Sequence, residues 1–135
     1  MKKLPFLVLF LMLSSSLCSA QYSKQYLACS QNAQTQAAMN ACAGQEFVNA
    51  DSELNKIYRS LLAKTAQQPE TSAKIKTAQK AWLVFRDAYL EAMYPAADKQ
   101  TEYGSMYPMQ LALLRAKLTR QQNVALKDLL RQYTR

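Results

Sequence analysis

The sequence predicts an all-α fold: a small antiparallel three-helix bundle with an N-terminal segment tied on by one disulfide. Three observations carry this. Glycine is scarce, with only Gly44 and Gly104, and β-branched residues are few, while Ala, Leu, Gln, Lys and Arg dominate; that composition favours helix. Apolar residues recur at helical spacing along three long stretches. Pro69, Pro95 and Pro108 fall between those stretches, where a residue that lacks an N–H and clashes with the preceding turn is tolerated.

Residues 1–20 stand apart from this plan. Met1-Lys2-Lys3 is a charged start, Leu4 to Leu13 an apolar run, and Ser19-Ala20 a small-residue end. This is the layout of a secretory signal peptide, and the run is too short to span a bilayer. Cleavage is expected after Ala20, which leaves residues 21–135 as one helical domain in the periplasm or outside the cell. A lipid anchor on Cys18 is disfavoured because Leu17 is not small. Cleavage removes Cys18 and leaves Cys29 and Cys42. It also removes Lys2 and Lys3, so the formal charge falls from +8 to +6. An even cysteine pair outside the cytoplasm points to a disulfide, Cys29 tying the N-terminal segment to Cys42. The alternative is two buried free thiols.

The first helical block is expected from about Thr35 to Ala66. Ala43, Phe47, Ala50, Leu54, Ile57 and Leu61 form one stripe at alternating four and three spacing. Gly44 within it marks either a kink or the close approach of a neighbour. The second block is expected from about Glu70 to Tyr94, with Ile75, Ala78, Trp82, Phe85, Tyr89 and Met93 as its stripe. Pro69 and Glu70 suit its first turn, and Pro95 ends it. The third is expected from about Pro108 to Tyr133, with Leu111, Leu114, Leu118, Ala125 and Leu129 on one face and Leu126 and Leu130 widening it. It is rich in cations: Arg115, Lys117, Arg120, Lys127, Arg131 and Arg135, against Asp128 alone.

Candidate chemistry is sparse. There is no histidine, so the commonest general base and a common metal ligand are missing. No phosphate-binding loop, zinc-spaced cysteine cluster or serine-hydrolase elbow occurs. Glu46 or Glu53 with Asp51 would make an acid/base pair only in principle; carboxylates on a charged helix are ordinarily solvated or salt-bridged. The expectation is a protein that is not an enzyme, with no cofactor and no metal. Asp51, Asn55 and Tyr58 share one edge of the first helix, and Gln79, Trp82 and Arg86 share one edge of the second. If these edges face each other, Arg86 pairs with Asp51 and sets the register. A net positive charge suggests acidic partners. The cations of the third block are spread around the helix without interleaved aromatics, so nucleic acid is not expected. Tyr94, Tyr103 and Tyr107, with Met93, Met106 and Met109, flank the loop between the second and third helices, either capping the bundle or forming a partner surface.

These residues together resemble a known family. Cys29 and Cys42, Ala50-Asp51-x-x-Leu54-Asn55-x-x-Tyr58, Ala78-Gln79-x-Ala81-Trp82-x-x-Phe85-Arg86-Asp87-Ala88 and Thr119-Arg120 look like the LprI family (formerly DUF1311), whose namesake is a mycobacterial lysozyme-inhibitor lipoprotein. The likeness runs from about Cys29 to Leu126. The chain departs from the family pattern in three places. A second cysteine pair is replaced by Tyr89-Leu90 and Leu113-Leu114, a Gly-rich loop is reduced to Gly104-Ser105, and a Thr-x-x-Arg element becomes Thr119-Arg120. The resemblance implies a small helical envelope protein that inhibits a lysozyme-type muramidase. Asp51, Leu54, Asn55, Tyr58, Gln79, Trp82, Phe85, Arg86 and Asp87 would then be structural motif positions. Because animal lysozymes are basic, the surface expected to meet one is the acidic edge Asp87, Glu91, Asp98 and Glu102 beside Tyr94, Tyr103 and Tyr107. The alternative function is an envelope structural or stress protein that binds anionic lipid or lipopolysaccharide through the basic third helix.

Overall fold

The computed structural model describes residues 22–134. The expected signal peptide, its cleavage after Ala20 and Cys18 lie outside the described residues. The three expected helices are present within a residue or two of their expected limits. They are α2 (Gln36–Lys64), α3 (Pro69–Met93) and α5 (Tyr107–Gln132). Each boundary has a local cause. Thr35 caps α2 by accepting from the Ala38 N–H at 3.1 Å. Pro69 occupies the first turn of α3, and Pro108 that of α5. Between α2 and α3, fully buried Thr65 exchanges hydrogen bonds with Ser72: the hydroxyls lie 2.9 Å apart, and Ser72 Oγ donates to the Thr65 carbonyl at 2.8 Å. That pair fixes the angle at which the chain reverses.

Three further elements were not legible beforehand. The N-terminal segment is itself a helix, α1 (Lys24–Asn32), capped by Ser23, whose Oγ accepts from the Tyr26 N–H at 3.0 Å. The loop after α3 holds a short helix, α4 (Lys99–Tyr103), capped by Asp98, and then a 3-10 turn, Gly104–Met106. Gly104 enters that turn at φ +68°, the left-handed region where a side chain is strained. α1 buries no side chain of its own. It is held by the Cys29–Cys42 disulfide, whose Cα atoms are 5.7 Å apart, and by the Gln25–Asn49 side-chain hydrogen bond at 2.8 Å.

The long helices run up, down, up. Asp51 lies near Arg86, while Leu61 and Ile75 share the core near the turn, so α3 is antiparallel to α2. Gln79 meets Gln122 and Tyr94 meets Tyr107, so α3 is antiparallel to α5 as well. α2 and α5 are therefore parallel, and theirs is the closest packing in the molecule. Their seam is lined by small residues, with Ala43, Ala50, Ala116 and Thr119 all buried, which lets two backbones approach. Hydrogen bonds pin the register at successive turns: Arg120 to Glu46, Asn123 Nδ2 to the Ala50 carbonyl at 3.1 Å, and Lys127 to Glu53. The apolar core lies toward the α2–α3 turn, where Leu54, Ile57, Leu61, Ile75 and Leu126 pack with Trp82 and Tyr58 against them.

The inner faces of α3 and α5 differ from expectation. The α2 stripe is as expected. In α3 the buried positions are Ile75, Gln79, Arg86 and Leu90, with Trp82 half-buried, whereas Ala78, Phe85, Tyr89 and Met93 are exposed. In α5 the buried positions are Ala116, Thr119, Asn123 and Leu126, and Ala125 is exposed. Both helices are rotated relative to an apolar-only reading because polar side chains take inner positions, Gln79, Arg86 and Asn123 with partners on other helices. At the two sites of the missing cysteine pair, Leu90 is buried and Leu113 and Leu114 half-buried, while Tyr89 points outward.

No neighbour approaches closely at Gly44: a Cβ added there meets nothing within 4 Å, and α2 is helical on both sides of it. Gly44→Ala should therefore raise stability by about 0.5–1 kcal/mol in chemical denaturation, because only the unfolded chain loses freedom. Replacing Cys29 and Cys42 together by Ser should cost roughly 3 kcal/mol, measurable as a lower unfolding midpoint.

Candidate functional site

Glu46, expected to be solvated or salt-bridged, is salt-bridged and also buried. Its side chain is 1% exposed. One oxygen accepts from the Ser23 backbone N–H at 2.9 Å and from Arg120, and the other accepts from Ser23 Oγ. This one carboxylate joins the first residues of the domain to α2 and α5. A buried charge is tolerable only when paired and hydrogen-bonded, and Glu46 has three donors. The available signal was its phase: Glu46 lies three residues after Ala43 and four before Ala50, on the inner stripe, so it needed a partner.

The two motif edges meet only in part. Arg86, nearly buried, lies over the Trp82 ring at 5.3 Å and the Phe47 ring at 6.0 Å. Arg115 from α5 lies over the same Phe47 ring at 5.2 Å. Phe47 thus takes a guanidinium from each neighbouring helix, which ties three helices through one ring. The expected Arg86–Asp51 contact is long, at 4.0 Å; Arg86 bonds its own neighbour Asp87 at 2.9 Å. Asn55 does not reach across, since its Nδ2 donates to Oδ2 of Asp51 at 2.9 Å. Tyr58 is half-buried against the core, and Leu54 is in it. Gln79 does not face α2; it accepts from Gln122 of α5 at 2.9 Å. Phe85 is on the outside at 55% exposure.

The tyrosines of the expected partner surface pack together at the other end of the bundle. Tyr94, Tyr103 and Tyr107 pack against one another with centroids 5.2–5.7 Å apart, each half-buried. The Tyr103 hydroxyl accepts from the Ala96 N–H at 3.1 Å. Burial, then the neighbouring Tyr107 and Tyr103, push the Tyr94 phenol above its ordinary value. Lys99 clamps the loop, donating to Glu91 at 2.8 Å, to the Tyr94 carbonyl at 2.8 Å and to the Ala96 carbonyl at 3.3 Å. Its ammonium is held above the usual range chiefly by the Glu91 hydrogen bond. Asp98 accepts from the Thr101 N–H and hydroxyl, which lower its carboxyl below the usual range, the backbone bond first. Asn40 of α2 donates to the Ser105 carbonyl at 3.2 Å and so docks the loop on the bundle. Asp87, Glu91, Asp98 and Glu102 all remain exposed around the tyrosines. The result is a fixed aromatic end with an acidic margin.

The cations of α5 are largely occupied. Arg120 faces Glu46, Lys127 faces Glu53, Arg131 faces Asp128 and Arg115 lies on Phe47. Among the described residues, no group of three or more acidic, cysteine or histidine side chains is placed to hold a metal. No helix among them is long and apolar enough to cross a membrane.

A family model described as lysozyme inhibitor LprI matches residues 28–126. The chain is 34% identical over 103 residues to an uncharacterised protein of Rhizobium meliloti (strain 1021), covering 68% of this chain and 71% of that one. No solved structure matches.

Arg86→Ala should cost about 2 kcal/mol in thermal or chemical unfolding, because two ring contacts and a charged hydrogen bond go together. Arg86→Lys should recover less than half of that, since an ammonium cannot stack on Trp82 and Phe47 as a planar guanidinium does. Asp98 is more acidic in the folded loop than in the unfolded chain. Its cap therefore supports α4 above its unfolded pKa and is lost as pH falls through the folded one. An acid titration followed at the Thr101 amide by NMR should show the loop loosening there, and Asp98→Asn should abolish that step.

Proposed function

The chain belongs to the LprI family, and on that premise we propose that it is a secreted or periplasmic binding protein that inhibits a lysozyme-type cell-wall hydrolase. The observation that carries this is the match to a lysozyme-inhibitor family over residues 28–126, nearly the whole helical body. Proteins of this family are typically secreted or periplasmic. The signal-peptide pattern of residues 1–20, with cleavage after Ala20, supports that location for this chain. The family is one of inhibitors, in keeping with a binding role here.

The contact surface we propose is the tyrosine end of the bundle with its acidic margin: Asp87, Glu91, Tyr94, Asp98, Glu102, Tyr103 and Tyr107. Two properties support it. The tyrosines are held rigidly by one another and by the Lys99 clamp, so little side-chain freedom is lost on docking. The exposed carboxylates supply local negative charge to a chain that is basic overall. Against a basic muramidase the net charge opposes long-range approach, but at physiological salt the field beyond about 8 Å is screened. The local edge then dominates at contact. Binding of anionic lipid or lipopolysaccharide through α5 draws less support, because most of the described cations there already face carboxylates or a ring.

The test is residual muramidase activity on cell-wall substrate with purified mature protein. Inhibition is expected to saturate. Glu91→Lys with Glu102→Lys should weaken it about tenfold or more by reversing the edge. Full activity of several lysozyme types at high micromolar protein would overturn the reading. Loss of inhibition in Lys117→Glu but not in the edge variant would move the site elsewhere.

A further inference from the structure

The disulfide that fastens α1 has two unequal ends. Cys29, on α1, is exposed, whereas Cys42, on α2, is 5% exposed. Thiol–disulfide exchange begins when a thiolate attacks one sulfur and displaces the other, and access helps to decide which is attacked. Here an incoming thiolate meets Cys29. An open groove of about 440 Å³ leads to the bond, with Ala33, Ala38 and Ala41 among its walls; small side chains leave room for the body of an attacking protein. On the other side the two sulfurs border a cleft of about 50 Å³ that also holds Gln25, Gln45 and Asn49. Side-chain amides are hydrogen-bond donors, so they can stabilise the thiolate that Cys42 becomes. Glu46 borders the same cleft, but its carboxylate is taken up by Arg120 and Ser23.

Breaking the bond need not disturb the rest of the fold. α1 buries no side chain, so its departure opens no cavity in the core. With the disulfide cut, Ser23 to Glu46 and Gln25 to Asn49 still hold it, the latter an exposed hydrogen bond. α1 has nine residues, too few for a helix to persist undocked in water. The sequence separation also selects the attacker. The two cysteines are 13 residues apart, so after attack by a single thiol the freed Cys42 returns to the mixed disulfide at high effective concentration. A second thiol on the attacker competes with that return. We propose that Cys29 is a thiol-exchange site for a dithiol oxidoreductase, and that reduction there releases α1 while the long helices stay packed. A thiolate of the oxidoreductase attacks Cys29 Sγ, the Cys29–Cys42 bond breaks, and Cys42 leaves as a thiolate that takes a proton from water. The second thiol loses its proton and attacks the mixed disulfide, which frees Cys29 as a thiolate that is protonated in turn. Two electrons have passed from the dithiol, now a disulfide, to this chain.

The experiment starts from oxidised mature protein without denaturant. In one arm it meets an excess of a thioredoxin-type oxidoreductase whose second active-site cysteine is replaced by serine; the mixture is quenched in acid, digested and mapped by mass spectrometry. The adduct is expected on Cys29, and an adduct on Cys42 overturns the proposal. In the other arm the intact oxidoreductase supplies both thiols, and hydrogen exchange is followed after the bond is reduced. Amides of Lys24–Asn32 should exchange about tenfold faster or more, while those of α3 and α5 stay within about twofold of the oxidised protein. A bond that yields neither adduct nor reduction until denaturant is added overturns the proposal. So does an α1 as well protected after reduction as before, or a loss of protection in all the helices together.

Discussion

A single buried carboxylate organises the way this domain is tied together. Glu46 sits on the inner stripe of α2, where an apolar residue would be expected, and it must be paired or pay several kcal/mol of desolvation. Its pairing reaches in two directions at once. Arg120 draws α5 against α2, and Ser23 draws the N-terminal segment down onto both. α1 contributes no buried side chain, so its position follows from this clasp and from the disulfide one helix turn away on α2. Ser23 caps α1 by accepting from the Tyr26 N–H, and its Oγ and N–H also bind Glu46. Cap and clasp are thus the same residue.

The clasp also explains the packing of the long helices. α2 and α5 are parallel and close because their facing residues are small and because their polar groups meet at each turn from Glu46 to Glu53. α3 stands off from that pair. Its inner face carries Trp82, Arg86, Gln79 and Leu90, too large and too polar for a close seam. The space is filled by rings and guanidinium groups: Arg86 over Trp82, and Phe47 between Arg86 and Arg115. The domain therefore has a compact apolar end near the α2–α3 turn and a polar, aromatic middle. Its other end is closed by three tyrosines and the Lys99 clamp.

Much of this was legible in the sequence. Helical spacing with Pro69, Pro95 and Pro108 placed the three long helices, and counting cysteines placed the disulfide. What was not legible has a common cause. An amphipathic reading assigns polar residues to solvent, so it turned α3 toward Phe85 and Tyr89 and α5 toward Ala125. The real inner faces include Gln79, Arg86, Thr119 and Asn123, most of them with a partner contributed by another helix, and such partners are invisible to a periodicity of one. The burial of Glu46 was hidden for the same reason, although its salt bridge was among the expected outcomes. α1 was missed because its only signals are short-range, a Ser23 cap and the Lys24–Asn32 stretch, and a helix that buries nothing has no stripe to read. The tyrosine end could be named from composition, but its clamp by Lys99 and the docking of its loop by Asn40 depend on distant contacts.

Glu46 and Arg120 act as one unit that also holds α1. A double-mutant cycle with Glu46→Ala and Arg120→Ala, read by chemical denaturation together with amide exchange in Lys24–Asn32, tests it directly. Glu46→Ala alone should cost about 3–5 kcal/mol, the two changes should couple by more than about 1 kcal/mol, and α1 amides should lose protection before those of α2. Additivity within about 0.5 kcal/mol, with α1 protection unchanged, would contradict it.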